Sequence, residues 1–244
     1  MKRVLNACHL GATPYRDGLA LQERLVEARA AGHTGDWLLY PDHPPVLTVG
    51  RSGRGDSLLV DRATLAARGI EVFEVARGGD FTWHGPGQIV GYTILDLNAL
   101  GRDLHRFLRE IEGALIDVLA RHGIAAERSA GRTGVWADGE KIASIGIAVR
   151  RWVSYHGFAL NHSPDLAAFD LIHPCGLRGI RMTSMAGRLG AKCPSAAAVR
   201  AEVAEALATR LGFDAVSWDH RPRLDSNADS TVDAVHLSGE RIAC

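Results

Sequence analysis

The chain has 244 residues, of which 46% are hydrophobic and 23% charged, which is typical of a soluble globular protein with one large domain or two small ones. Lys plus Arg and Asp plus Glu both number 28, so no overall charge favours nucleic acid or a membrane as partner. No apolar run reaches the length of a membrane span and the N-terminus has no long apolar segment, so we expect a cytoplasmic protein.

The first predicted elements are a helix and two short strands. Residues 15–31 carry apolar side chains on one face and are followed by Gly32, which predicts a helix. Residues 36–40 and 46–49 are apolar runs separated by the breaker-rich PDHPP, which indicates two strands joined by a rigid turn. The basic, glycine-rich segment GRSGRGDS at 50–57 is either a flexible loop, which we favour, or a cradle for an anion.

The next elements lead into a glycine-rich stretch. Residues 61–68 are predicted to form a short helix with Asp61 as its N-cap, and residues 70–76 alternate as a strand. Residues 77–97 read RGGDFTWHGPGQIVGYTILDL, with a loop-like first half and a strand-like second half. Glycine lets the backbone of such a loop approach a ligand closely, although a long hairpin turn has the same composition.

The second half of the chain predicts two helices and an antiparallel meander. An apolar stripe from Leu104 to Leu119 indicates an amphipathic helix, and residues 195–212 indicate another. Strands at 133–137 and 141–149 flank a two-residue Asp-Gly turn, and residues 152–160 add a further strand.

Together these elements predict an α+β fold, with a mixed, largely antiparallel sheet flanked by helices. We expect residues 1–216 to form a single catalytic domain and residues 217–244 to form a polar, poorly ordered tail.

Two side chains are candidates for a catalytic role. Cys175 lies in HPCGLRG, where proline and glycine predict a sharp turn that exposes the thiol, although a lone cysteine is also a common buried hydrophobe. Lys141 is one of three lysines in an arginine-rich chain, and a role that requires loss and gain of a proton demands lysine rather than arginine. An exposed lysine at a sheet edge is the alternative. The cysteines lack the spacing of a zinc site.

The glycine-rich stretch itself is the third candidate site, through Arg77, Asp80, Thr82 and His84. A catalytic triad of Ser144, His84 and Asp80 lacks a nucleophile-elbow pattern around the serine. The histidines show no recognised ligand spacing, so we expect no metal.

Four ordered motifs resemble one known family. The segments RGGDFTWHGPGQIVGYTI, GEKIASIGI, WVSYHGFALN and PCG look like those of the lipoyl(octanoyl) transferases of protein lipoylation, over residues 37–184. The resemblance implies the fold of biotin and lipoate protein ligases. Trp83 departs from the family, which commonly has tyrosine there, so a hydrogen bond from that hydroxyl is absent.

The resemblance also implies an activity and its partners. The donor would be octanoyl-acyl carrier protein, and the acceptors would be lysines on lipoyl domains of 2-oxoacid dehydrogenases and on the glycine cleavage H protein. Cys175 would carry the acyl group as a thioester, and Lys141 would lower its pKa. The substrate-binding residues implied by the motifs are Arg77, Gly78, Gly79, Asp80, Phe81, Thr82, Trp83, His84, Ser144, Ile145, Gly146, Gly157, Phe158 and Ala159.

The chemistry itself is consistent with that scheme. A free thiol has a pKa of about 8.5, and a neighbouring ammonium favours its thiolate form. Because a thioester donor is already activated, transfer to an amine needs no ATP and no cofactor. Backbone N–H groups at Gly78-Gly79 or at residues 85–87 are candidates to bind the oxyanion. An apolar slot for the chain is expected from Ile145, Phe158 and Trp83, with Gly146 and Gly157 leaving room.

Two other functions remain open at this point. An ATP-dependent lipoate or biotin protein ligase of the same fold would use GRSGRGDS to bind phosphate. A non-catalytic protein that binds acyl chains or carrier protein would keep the pocket but form no covalent adduct.

Overall fold

The computed structural model describes residues 2–53, 57–173, 179–218 and Pro222. Its strands are β1 (Val4–Ala12), β2 (Asp36–Asp42), β3 (Val46–Val49), β4 (Glu71–Glu74), β5 (Phe81–His84), β6 (Gln88–Ile94), β7 (Glu127–Ser129), β8 (Arg132–Ala137), β9 (Glu140–Arg150), β10 (Val153–Asn161) and β11 (Ala215–Trp218). Its α-helices are α1 (Tyr15–Ala30), α2 (Arg62–Ala67), α3 (Leu104–Arg121), α4 (Met185–Leu189) and α5 (Ala196–Leu211). Short 3₁₀-helices occupy Leu97–Leu100, Leu166–Leu171 and Gly190–Lys192.

The described strands form two sheets. The larger has eight strands in the order β11-β1-β2-β6-β10-β9-β8-β7, and the smaller has the order β4-β3-β5. In the larger sheet β1 pairs in parallel with β2 and β11, whereas all other neighbours are antiparallel. The prediction of a mixed, largely antiparallel sheet is therefore confirmed. The predicted turn between β2 and β3 connects the two sheets.

Helices cover both faces of the larger sheet. Helices α3 and α5 pack on each other and, with Leu5, Leu38 and Phe158 of the sheet, form the main hydrophobic core. Helix α1 contributes Leu25 and Val26 to a second core on the opposite face. A third core lies under the smaller sheet. No described helix is long and apolar enough to cross a membrane.

Two of the predicted helices begin at a side chain that caps them. The Asp61 carboxylate accepts from the N–H of Thr64 at the start of α2, and the Ser195 hydroxyl accepts from Ala198 at the start of α5. Gly212 ends α5 in the left-handed conformation, where a residue without a Cβ is least strained.

Several elements differ from the sequence expectations. Residues 81–84 form strand β5, although they were assigned to a loop, because β5 gains its partner β3 from a distant part of the chain. Strand β1 was not predicted at all. Strand β11 includes Ser217 and Trp218, which lie beyond the predicted boundary at residue 216. After Trp218, the predicted tail lies outside the described residues apart from Pro222.

Candidate active site

A cavity of about 480 Å³, including its open mouth, lies between β5 of the smaller sheet and β6, β9 and β10 of the larger one. Its lining residues are Tyr15, Arg77, Gly78, Gly79, Thr82, His84, Val90, Tyr92, Ser144, Ile145, Gly146, His156, Gly157, Phe158 and Ala159. The structure thus brings the three predicted binding segments, 77–84, 144–146 and 157–159, around one space.

Three predicted pocket residues do not line this cavity. Strand alternation turns Thr82 and His84 towards it and turns Phe81 and Trp83 into the third core, so the expectation that Trp83 forms a wall of the slot is not met. The indole N–H of Trp83 is buried without a hydrogen-bond partner. Asp80 is buried and accepts a hydrogen bond from the hydroxyl of Ser57.

Arg77 fixes the glycine-rich loop to the smaller sheet. Its Nη2 donates to the backbone carbonyl and the hydroxyl of Thr48, each at 2.7 Å, and its Nη1 donates to the carbonyl of Gly78. The N–H of Gly78 donates to the carbonyl of Ile147 in β9 at 3.0 Å. These contacts connect the loop to both sheets and set the position of the cavity wall.

Glycine is required where β6 and β10 meet at the cavity. A Cβ on Gly157 would lie 2.2 Å from the backbone carbonyl oxygen of Gly91, which is inside van der Waals contact. A Cβ on Gly91 would lie 2.2 Å from the ring of Phe158. The absence of side chains here lets the ring of Phe158 lie across β6.

Two histidines of the cavity wall are held neutral. Burial, followed by the nearby His43, lowers the pKa of His84 to about 3, and burial together with Arg77 lowers the pKa of His156 to about 3. His156 has a positive φ of 58°, which is a strained conformation for a residue with a side chain, and its N–H donates to Gln22 Oε1 at 2.7 Å. Its Nε2 is buried without a partner.

A tyrosine–histidine network, which the sequence analysis missed, lies behind these side chains. The Nδ1–H of His43 donates to the carbonyl of Thr13 at 2.7 Å, so its Nε2 accepts from the hydroxyl of Tyr92 at 2.6 Å. Burial raises the pKa of Tyr15 to about 12 and lowers that of His43. These side chains are therefore uncharged at neutral pH.

Lys141 is buried, with 1% of its surface exposed, so the alternative of an exposed sheet-edge lysine is excluded. It lies where the pairing of β8 with β9 shifts register, since Trp136 pairs with Lys141 but Val135 pairs with Ala143. Its Nζ lies 5.3 Å from the centroid of the Trp136 ring. Its backbone N–H donates to the carbonyl of Arg181, and its carbonyl accepts from the N–H of Thr183.

Cys175 lies outside the described residues, so its pairing with Lys141 stays a prediction. On one side of that segment, the N–H of His173 donates to the carbonyl of Ser57 at 2.7 Å. On the other side, residues 181–183 run beside Lys141, which brings the chain that follows Cys175 to the lysine.

The alternative sites are not supported by the described geometry. The partner of His84 Nδ1 is Gln88 rather than Asp80, so no Ser144–His84–Asp80 triad is formed. Backbone N–H groups of residues 50–52 donate to carbonyls of residues 77–80, so they are not directed at an anion, and residues 54–56 of the same segment lie outside the described residues. Within the described ranges, no group of three or more His, Cys, Asp or Glu side chains is placed to hold a metal ion.

Comparison with known proteins agrees with this architecture. Residues 14–208 match the family model of the lipoyl protein ligase A/B catalytic domain. The octanoyltransferase of Geobacter sulfurreducens is 48% identical over 93% of this chain and 92% of its own length, and that of Caldicellulosiruptor saccharolyticus is 48% identical over 77% and 81%.

Solved structures share the fold at low sequence identity. A putative lipoate protein ligase from T. acidophilum with bound lipoic acid has a TM-score of 0.71 and 18% identity, covering 91% of this chain and 90% of its own. A lipoate-protein ligase A bound with ATP has a TM-score of 0.69 and 16% identity, covering 92% and 90%. The predicted ligase-like α+β fold is confirmed.

The chain belongs to the lipoyl protein ligase A/B catalytic-domain family and, within it, to the octanoyltransferases. The sequence-based identification of an acyltransferase is therefore confirmed.

Proposed function

We propose that this protein transfers an octanoyl group from octanoyl-acyl carrier protein to the lysine amine of a lipoyl domain, through a thioester on Cys175. The reaction would take place in the cytoplasm, with lipoyl domains of 2-oxoacid dehydrogenases and the glycine cleavage H protein as acceptors. Support for the transferred group comes from the octanoyltransferases that share nearly half of its residues. The cavity supports it too, since Val90, Ile145, Phe158 and Ala159 give it apolar walls.

The observation that carries the proposal is the placement of Lys141. A buried lysine at a register shift, hydrogen-bonded through its backbone to residues 181–183, lies beside the chain that follows Cys175. A cation in such a position stabilises a thiolate, and a lysine can also lose and regain a proton, as an arginine cannot.

The proposed reaction has two halves. The Cys175 thiolate attacks the donor thioester, and the carrier thiol leaves with a proton supplied by Lys141. The substrate amine then attacks the acyl-enzyme thioester, an amide forms, and the cysteine sulfur leaves as a thiolate. Lys141 accepts the proton released by the amine and returns to its ammonium form. The donor thioester supplies the activation, so ATP has no role.

One backbone N–H is the better candidate to bind the oxyanion. Gly78 already donates its N–H to the carbonyl of Ile147, and residues 85–87 do not line the cavity. Gly79 lines the cavity and has a positive φ of 84°, which residues with side chains rarely adopt. We assign the oxyanion contact to the N–H of Gly79.

The experiment is detection of the acyl-enzyme. Incubation with octanoyl-acyl carrier protein without acceptor, followed by intact-mass measurement, should show one octanoyl group on Cys175. The Cys175→Ser variant should show no thioester adduct and no transfer, whereas the control Cys193→Ser should keep both. Full transfer by the Cys175→Ser variant, or a strict ATP requirement, would contradict the proposal.

A further inference from the structure

A buried glutamine fixes the protonation pattern of His84. The Nδ1 of His84 lies 2.9 Å from Oε1 of Gln88, and the Nε2 of Gln88 donates to the carbonyl of Trp83 at 3.2 Å and to Oδ1 of Asn161 at 3.0 Å. Because both partners of that amide nitrogen are acceptors, the amide orientation of Gln88 is determined. Its Oε1 is then the acceptor, so the proton of the neutral His84 ring is on Nδ1 and Nε2 has the lone pair.

The same chain of hydrogen bonds continues to the strand segment of Lys141. Nδ2 of Asn161 donates to the carbonyl of Thr183 at 3.0 Å, and the N–H of Thr183 donates to the carbonyl of Lys141 at 2.9 Å. Gln88, Asn161 and Thr183 are all buried. The position and the tautomer of His84 are therefore coupled to the backbone that carries the proposed base.

The surroundings of His84 keep the ring neutral. Burial is the main cause that lowers its pKa to about 3, and the nearby His43, Arg77 and His156 lower it further. The ring of Tyr15 in α1 is stacked with that of His84, with 6.2 Å between the ring centroids. The other ionisable groups that face His84 are His43 after β2, Arg77 before β5 and His156 of β10. None of these is a carboxylate. The hydrogen bond to the neutral amide of Gln88 raises the pKa of the ring, but burial outweighs it and the ring stays neutral.

We propose that Gln88, anchored by Asn161, is a positioning residue that presents Nε2 of His84 as a hydrogen-bond acceptor for the amine of the incoming lysine. This inference rests on the proposed function, and it concerns only the second half of the reaction. An acceptor nitrogen needs a hydrogen-bond donor as its partner. Of the groups present in that half, the thioester carbonyl and the acyl chain have no such donor, whereas the amine has N–H bonds. The hydrogen bond to His84 orients the lone pair of the amine, and the released proton still goes to Lys141.

The side-chain type at position 88 follows from this role. A glutamate there would place a carboxylate against Nδ1 of His84 and raise the pKa of the ring, and an imidazolium has no acceptor nitrogen. A neutral amide fixes the same tautomer and leaves the ring neutral.

The first test is the ring protonation in the wild-type protein. Imidazole nitrogen NMR of ¹⁵N-histidine-labelled protein, with His84 assigned by the loss of its signals in His84→Gln, should show the proton on Nδ1 from pH 5 to pH 8. A proton on Nε2, or titration of the ring within that range, would overturn the inference. This measurement needs no change at position 88, so it stands even where Gln88→Glu is unstable.

The second test separates the two halves of the reaction in Gln88→Glu. Acyl-enzyme formation should remain within about twofold of wild type, whereas transfer from isolated acyl-enzyme to a lipoyl domain should fall about tenfold per pH unit below the raised pKa of His84. The matched control is Gln22→Glu, which places a carboxylate at another buried amide, one that contacts the backbone of His156. It should leave the His84 ring signals unchanged.

The outcomes are distinct. Equal loss of both halves in Gln88→Glu, or transfer with the wild-type pH profile in a variant whose His84 titrates, would overturn the role of Gln88. Failure of the wild-type protein to form a Cys175 adduct would instead overturn the proposed function, and the ring spectrum would still report the tautomer.

Discussion

Removal of the Glu112 side chain from helix α3 should cause a large loss of stability. Its side chain is fully buried, and its oxygens accept from Nη1 of Arg109 at 2.6 Å, from Nε of Arg128 at 3.0 Å and from the N–H of Gly134 at 3.1 Å. In Glu112→Ala, the buried N–H of Gly134 loses its partner, which costs about 1–3 kcal/mol. The arginines are 48% and 43% exposed, so water replaces much of what they lose.

With the side-chain cavity added, the expected loss is about 3–5 kcal/mol, which is the range for breaking a buried ion pair. For a chain of this length it corresponds to a fall in Tm of roughly 6–20 °C. Urea unfolding followed by tryptophan fluorescence measures the free energy of unfolding. The control Glu110→Ala removes one hydrogen bond to the partly exposed Arg210 and should cost less than about 1 kcal/mol. A loss below about 1 kcal/mol for Glu112→Ala would refute the reasoning.

Three further predictions concern the cavity and the proposed base. Gly157→Ala should destabilise the protein by about 1–3 kcal/mol and reduce transfer, because the added methyl group meets the carbonyl of Gly91; thermal unfolding and activity test this. Because His84 and His156 have pKa values of about 3 when folded, the unfolded state binds more protons below pH 6.5. The contribution of these rings to the free energy of unfolding should therefore be fully present above that pH. It should fall by up to about 1.4 kcal/mol per pH unit for each ring towards pH 3, as urea midpoints would show. Lys141→Arg should lose about 100-fold or more in amine transfer and keep slow acyl-enzyme formation, measured in single-turnover assays.

Each of these predictions has an opposite outcome. A Gly157→Ala protein with wild-type stability would mean that β6 and β10 separate without cost at this point. Stability that stays constant from pH 6.5 to pH 4.5 would contradict the neutral, buried state of the two rings. Wild-type transfer by Lys141→Arg would remove Lys141 from proton transfer. The companion variant Lys141→Met, which is similar in length, controls for the larger volume of the guanidinium group.

Regular patterns made much of the fold predictable. The stripe from Leu104 to Leu119 is visible because a helix repeats its buried positions every three or four residues, and α3 follows it closely. The Asp-Gly turn between β8 and β9 is a local signal, since both residues have positive φ there. Strand β1 was missed because its sequence VLNACHLGA mixes buried and exposed residues without a clean alternation, and it is stabilised by parallel partners far along the chain.

The candidate site was predicted unevenly for a similar reason. Its glycine-rich segments are recognisable because they are contiguous in sequence. Gln88, Asn161, Tyr92 and His43 were not singled out, because each is an ordinary polar residue until tertiary pairing brings it against the others. The direction of the Trp83 side chain could not be predicted either. It depends on the pairing of β5 with β3, and in a segment assigned to a loop side chains do not alternate between two faces.

The cavity has one wall on each of the two sheets. Its width depends on the distance between the sheets, whereas its contacts depend on the side chains that line it. The backing of β5 is the third core, where Leu47 and Phe169 pack behind Trp83 without reaching the cavity. Changes of volume in that core would move β5 relative to β9 and β10 while every side chain at the ligand stays the same. Under the proposed function, substrate preference is thus adjustable from behind the binding surface, by residues that do not line the cavity.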